Sequence, residues 1–337
     1  LPPLLFDAAF RQDVHQAGRI APGILIITIF GVAVTAAGAG AVLPLLLGMP
    51  IAVGLLFGSI VAPTDPVAVV PIFRRLHLPA ALSSTAEIES LANDGMALAL
   101  YAVFLDLALG RLVDPASIGI LFAKSVLGGV GIGVGLGLLF SRMTALVDDH
   151  LVEMTLSTAL AYGSYLLAQS LGMSGALACV TAGLVHGSYG RSVGMSSNTR
   201  RLLDDLWEYL GFAANAVVFL LLGLTVDASN LVEHVGPILA VLAAILLTRG
   251  IVVGTALVVL PHRRIGIGPA AGLLLVWGGL RGALTAAMAL ALPEELVGRE
   301  TLVAVAFGTV LLSLLVQGPT LPLLIRRLRL ARDAPSP

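Results

Sequence analysis

Residues 61–70 read V-A-P-T-D-P-V-A-V-V, setting Thr64 and Asp65 between two prolines inside a long apolar run, 48–72. Proline has no backbone N–H and clashes with the preceding turn, so Pro63 and Pro66 forbid an unbroken helix. A run of this length suits a membrane crossing. Within hydrocarbon, broken backbone is tolerated only beside a cavity or packed protein. A helix break that carries a hydroxyl and a carboxylate therefore points to a cation site built of oxygens, the ligands hard cations prefer.

The rest of the chain supplies the membrane. Of 337 residues, 58% are apolar and only 12% charged, against about 25% charge in an average soluble domain. Mean hydropathy is +1.00. The 19 basic and 20 acidic residues nearly cancel, which excludes the basic footprint of a nucleic-acid binder. A single cysteine, Cys179, excludes a disulfide framework and a thiolate metal cluster. Together these predict an all-α polytopic membrane protein.

Ten stretches read as full spans: 20–47, 48–72, 83–109, 117–141, 151–170, 173–190, 206–226, 235–260, 266–292 and 301–325, with residues 1–10 as a partial first one. When the loops between them are taken alternately, one side receives fourteen arginines, among them Arg74, Arg75, Arg142, Arg263, Arg264, Arg326 and Arg327. The other side receives only Arg111 and Arg299. Cytoplasmic loops retain basic residues, so the carboxyl terminus is expected in the cytoplasm. Residues 1–328 form the transmembrane domain on this reading, and 329–337 a short cytoplasmic tail. Residue 1 falls inside an apolar segment, so the native chain is expected to continue upstream. Residues 196–208, S-S-N-T-R-R-L-L-D-D-L-W-E, read as an interfacial helix or loop.

Charges left inside spans cost roughly 2.5–3.5 kcal/mol each and need a partner, a cavity or a proton. They are Asp7, Asp65, Glu87, Glu89, Asp94, Arg249 and Arg281, with Asp106, Lys124 and Glu153 near span ends, where a snorkelling or paired role is the bland alternative. Asp94 lies about eleven residues into its span, roughly 17 Å along a helix and close to the midplane. Ser90 is one turn earlier on the same face, and Glu89 and Asn93 form a neighbouring i, i+4 pair.

The second half repeats the plan. Span 266–292 carries W-G-G-L-R-G-A-L-T, where Gly278, Gly279 and Gly282 weaken the helix near its middle. Corresponding broken helices in two halves mark an inverted-repeat transporter with a midplane site and two discontinuous crossing helices. A permease or channel for another solute is the alternative, though a channel needs a line of acids along a pore. An intramembrane aspartyl enzyme is disfavoured because Asp65 and Asp94 lack the G-x-G-D context, so no enzymatic activity is expected. The six histidines fall mostly at loops and span ends, as interfacial residues. G-G-V-G-I-G-V-G-L-G (128–137) lies inside a span and follows no strand, so close helix packing explains it better than a nucleotide loop.

The chain resembles the monovalent cation/proton antiporters of the sodium/proton exchanger family. The resemblance rests on T-D-P-V-A-V (64–69), E-S-L-A-N-D-G (89–95), F-L-L-L-G-L (219–224), L-T-R-G (247–250) and G-G-L-R-G-A (278–283), in family order and spacing over nearly the whole chain. It implies that Asp94 alternately binds a proton or a sodium ion, with lithium or potassium as possible substitutes. Asn93 resembles the Asn-Asp pair of electroneutral members. Thr64, Asp65 and Ser90 would complete the ion's shell. Glu89 would pair with an arginine of a later span, Arg249 before Arg281, and Asp7 falls where some members carry a further acid. The family usually has thirteen spans, which would start this chain within the third. No cofactor is implied beyond the transported ions, a homodimer is expected, and the composition suggests a bacterial inner membrane.

Overall fold

The computed structural model describes residues 1–12, 28, 30–111, 115–225, 227–259, 268–328 and 330. The described residues are helical and contain no strand. In chain order, α1 is Pro2–Phe10, α2 Phe30–Leu47, α3 Ile51–Val61, α4 Val70–Arg75, α5 Ala80–Ala108 and α6 Pro115–Thr144. Next come α7 His150–Ser170, α8 Gly175–Val185, α9 Ser197–Thr225, α10 Val235–Val259, α11 Pro269–Trp277 and α12 Ala283–Leu290. The chain closes with α13 Arg299–Leu312 and α14 Gly318–Arg327.

Helix ends follow local chemistry. Gly48, at φ +66°, closes α2 in the left-handed region that a residue without Cβ adopts freely. Asp149 caps α7 by accepting from Leu151 N (2.8 Å) and Val152 N (3.3 Å). Ser174 caps α8 through Leu177 N (3.2 Å), and Ser196 accepts from Thr199 N (3.1 Å) ahead of α9. Each side-chain oxygen satisfies a first-turn N–H that has no partner within its helix.

Six helices among the described residues are long and apolar enough to cross a membrane: Phe30–Leu47, Leu82–Ala108, Ser117–Thr144, Asn198–Thr225, Val235–Val259 and Arg299–Arg327. The other four expected spans take other forms. Stretch 48–72 divides into α3 and α4, and 266–292 into α11 and α12. Stretch 173–190 is α8 followed by a π turn, His186–Gly190, while 151–170 is a helix with Glu153, Ser157 and Ser164 on its buried face. The segment at 196–208 is no separate interfacial element. It forms the first turns of α9, because Leu203 and Trp207 recur on one helical face and are wholly buried. His186 is also buried, with Nδ1 3.1 Å from Ser141 Oγ, which sets it apart from an interfacial histidine. His15, His262 and residues 329 and 331–337 lie outside the described residues.

The glycine-rich stretch on α6 packs with a period of four. A Cβ at Gly129 would lie 2.6 Å from Ser174 O, at Gly133 3.0 Å from Ala178 C, and at Gly137 2.8 Å from Val185 Cβ. At Gly131 and Gly135, on the opposite face, it would meet nothing within 4 Å. Small residues at this spacing let the backbones of α6 and α8 approach closely. Gly133→Leu is expected to destabilise the protein by about 1–3 kcal/mol through overpacking. Gly135→Leu leaves the thermal midpoint in detergent unchanged or raised, and the two melting curves side by side check the assignment.

Candidate cation site

Two helix breaks face one another and supply each other's missing backbone partners. The first comprises residues 62–69 between α3 and α4, and the second Gly278–Gly282 between α11 and α12. Asp65 N donates to Leu280 O (2.8 Å). Arg281 Nη1 donates to Ala62 O and Pro63 O (2.6 Å each), just beyond the end of α3. The Arg281 side chain is thus a cation at the electronegative C-terminal end of a half-helix. The Asp65 carboxylate accepts from Val67 N (2.9 Å) and lies against Gly282, the residue that precedes α12. An acid thereby sits at that half-helix's electropositive start. A Cβ on Gly282 would overlap the Asp65 carboxylate, and one on Gly279 would lie 2.5 Å from Arg249 Nε. These glycines do more than weaken a helix, because they make the room in which the charges meet.

Helix α5 runs past the first break and presents its polar face to it. Thr64 Oγ1 and Ser90 Oγ are 3.1 Å apart, and Ser90 Oγ also donates to Thr64 O. Asn93 Nδ2 donates to Thr64 Oγ1 (3.1 Å) and faces Glu89 Oε1 (3.5 Å). Thr64, Asp65 and Arg281 lie within electrostatic reach of the Asp94 carboxylate. Asp94 Oδ1 is buried without a hydrogen-bond partner among the described residues. Thr64, Asp65, Ser90, Asn93 and Asp94, all singled out by sequence, therefore lie around one helix break.

Glu89 Oε1 lies 3.0 Å from Arg249 Nη2, with both side chains about nine-tenths buried. Arg249 Nε donates to Leu275 O (2.8 Å), anchoring the pair to the end of α11. Arg281, the second arginine considered for Glu89, spends its described hydrogen bonds on the carbonyls of the first break instead. A small pocket is lined by Thr64, Asp65, Phe73, Glu89, Ser90 and Arg249, among others. Asp94 lies outside that lining.

The remaining charges lie elsewhere. Asp7 pairs with Arg11 (2.7 Å), and its other charged neighbours are Asp204 and Glu208, which removes it from the Asp94 network. Glu87 pairs with Arg74 (3.0 Å) and Asp106 with Arg111 (3.1 Å). Lys124 is exposed, and Glu153 is buried beside Thr199 Oγ1 (3.3 Å). Two residues outside the quoted motifs also reach the site: Ser313 and Gln317, on a π turn between α13 and α14, bind the second break. Their sequence signal is a four-residue spacing of polar groups, Thr309, Ser313 and Gln317, inside an apolar span.

The transmembrane family described as sodium/hydrogen exchanger matches residues 1–327. A Na(+)/H(+) antiporter of Aphanothece halophytica is 35% identical over 336 residues, 99% of this chain and 64% of the relative. A low-affinity Na(+)/H(+) antiporter of Synechocystis is 34% identical over 343 residues, covering 99% and 65%. One from Halobacillus dabanensis is 35% identical over 342 residues, covering 97% and 81%. The chain thus spans about two thirds or less of the length of the first two. Among solved structures, the sodium proton antiporter of Methanocaldococcus jannaschii at pH 8 superposes with a TM-score of 0.83 at 23% identity, covering 98% of this chain and 84% of that one.

Removing one partner of a buried ion pair leaves the other charge uncompensated. Glu89→Ala is therefore expected to cost about 3–5 kcal/mol, whereas a joint Glu89→Leu, Arg249→Leu replacement recovers most of it. Thermal unfolding of the three proteins in detergent gives the comparison.

Proposed function

The chain belongs to the sodium/hydrogen exchanger family, and from that premise we propose that it exchanges protons for a monovalent cation, sodium first, with both competing for Asp94. Family membership and the relatives' names make it a multi-pass membrane transport protein and not an enzyme. The observation that carries the proposal is the unpartnered Asp94 Oδ1, buried beside the oxygens of a broken helix. A buried carboxylate oxygen without a donor is costly, and either a proton or a cation satisfies it.

The charge count supports a neutral exchange. Asp65, Glu89 and Asp94 face Arg249 and Arg281, so the ionised cluster carries one surplus negative charge. One sodium ion or one proton cancels it, and either loaded state is neutral. The bare state is the costly one to carry through hydrocarbon, which couples the two fluxes. Thr64, Asp65 and Ser90 supply the further oxygens for the cation, Asn93 orients Thr64, and the Glu89–Arg249 pair remains internally neutralised. The two discontinuous helices act as crossing elements of an inverted repeat, and access alternates as one bundle rocks around the site. The loop asymmetry of the arginines supports a cytoplasmic carboxyl terminus, and the composition supports a bacterial inner membrane. A homodimer and the division into domain 1–328 and tail 329–337 belong to the same reading.

The test uses proteoliposomes with an imposed pH gradient, a pH-sensitive dye and added sodium, lithium or potassium. Expected are cation-dependent proton fluxes that are indifferent to clamping the membrane voltage and abolished by Asp94→Asn. The half-saturating sodium concentration should rise by up to about tenfold per unit of falling pH, because the cation requires the deprotonated ligand. Flux that survives Asp94→Asn, or that follows voltage, contradicts the proposal. No cation dependence at all favours a permease for another solute.

A further inference from the structure

The last span is not one regular helix. Between α13 and α14 the chain takes a π turn, Ser313–Gln317, an insertion frequent at functional sites because it re-aims the side chains that follow. Its two polar residues, Ser313 and Gln317, are buried, while Leu315 and Val316 between them are exposed. Both reach the second helix break, one at each end. Ser313 Oγ accepts from Arg281 N (3.1 Å), and Gln317 Nε2 donates to Trp277 O (3.1 Å). The Trp277 indole N–H is in turn bound by Thr320 Oγ1 (2.9 Å). The break is clamped at its start and at the residue whose guanidinium holds Ala62 O and Pro63 O.

We infer that Ser313 and Gln317 are positioning residues for the cation site, acting through the second break on Thr64 and Asp65. The inference rests on the exchange reading above and deepens it. The chain of contacts is short: Ser313 fixes the Arg281 backbone, Leu280 beside it accepts from Asp65 N (2.8 Å), and the Arg281 side chain grips the two residues before Thr64. Satisfying two freed backbone groups in hydrocarbon would already stabilise the fold. The positioning role makes a further demand, because the cation's oxygens must keep their places relative to Asp94, and small misplacements of a ligand shell are felt strongly in function.

The experiment measures sodium-dependent proton flux in proteoliposomes for the wild type, Ser313→Ala, Ser313→Thr and Gln317→Met, with the thermal midpoint of each. The half-saturating sodium concentration is expected to rise about fivefold or more in Ser313→Ala and Gln317→Met. Ser313→Thr, which keeps the hydroxyl, stays within about twofold of the wild type. Gln317→Met keeps the side-chain length and gives the same reading should Ser313→Ala fail to fold. An unchanged half-saturating concentration, even with a lower maximal rate or midpoint, overturns the inference, as does a Ser313→Thr protein as impaired as Ser313→Ala. A wild-type chain without cation-dependent flux removes the exchange reading and this inference together. Wild-type exchange with unaltered variants removes this inference alone.

Discussion

Everything at the centre of this molecule depends on one constraint: a helix broken within hydrocarbon must find partners for its freed backbone groups inside the protein. Two helices are broken, and each break answers the other. Leu280 O takes the Asp65 N–H, and the Arg281 guanidinium takes the carbonyls of Ala62 and Pro63. The position of the site follows from that mutual satisfaction. Thr64 and Asp65 are held on non-helical backbone opposite the polar face of α5, where Ser90, Asn93 and Asp94 wait. A continuous helix at either place would bury those backbone groups in its own ladder and leave no oxygens free for an ion.

The charges are arranged by the same geometry. Arg281 sits beyond the C-terminal end of α3, and Asp65 sits at the start of α12, so each half-helix dipole meets a side chain of opposite sign. Glu89 and Arg249 neutralise one another, with Arg249 also bound to Leu275 O. Asp94 is the acid left over. In the proposed exchange that surplus charge is what a cation and a proton compete to cancel, and the rest of the cluster holds it in place.

Much of this was legible in the sequence, because prolines around an acid and glycines around an arginine are local signals. T-D-P and G-G-L-R-G marked the breaks, and the glycines of 128–137 marked a close helix contact. What escaped depends on tertiary contacts. The partner of Arg281 is two backbone carbonyls more than two hundred residues away, which no motif records. Asp7 falls in a plausible register, but Arg11 one turn later claims its carboxylate. The π turns at His186–Gly190 and Ser313–Gln317 leave the apolar pattern of their spans intact, so composition cannot reveal them. Only the polar spacing of Thr309, Ser313 and Gln317 hinted at the second.

The central claim, that one carboxylate is shared by two ligands, is tested most directly without transport. Purified protein in weakly buffered detergent solution is titrated with sodium chloride while a dye reports released protons, near the pH of half occupancy and with choline chloride as the ionic-strength control. Proton release that saturates with sodium, never exceeds one proton per chain, and vanishes in Asp94→Asn is the predicted result. Sodium binding without proton release, or release that persists in Asp94→Asn, would contradict it.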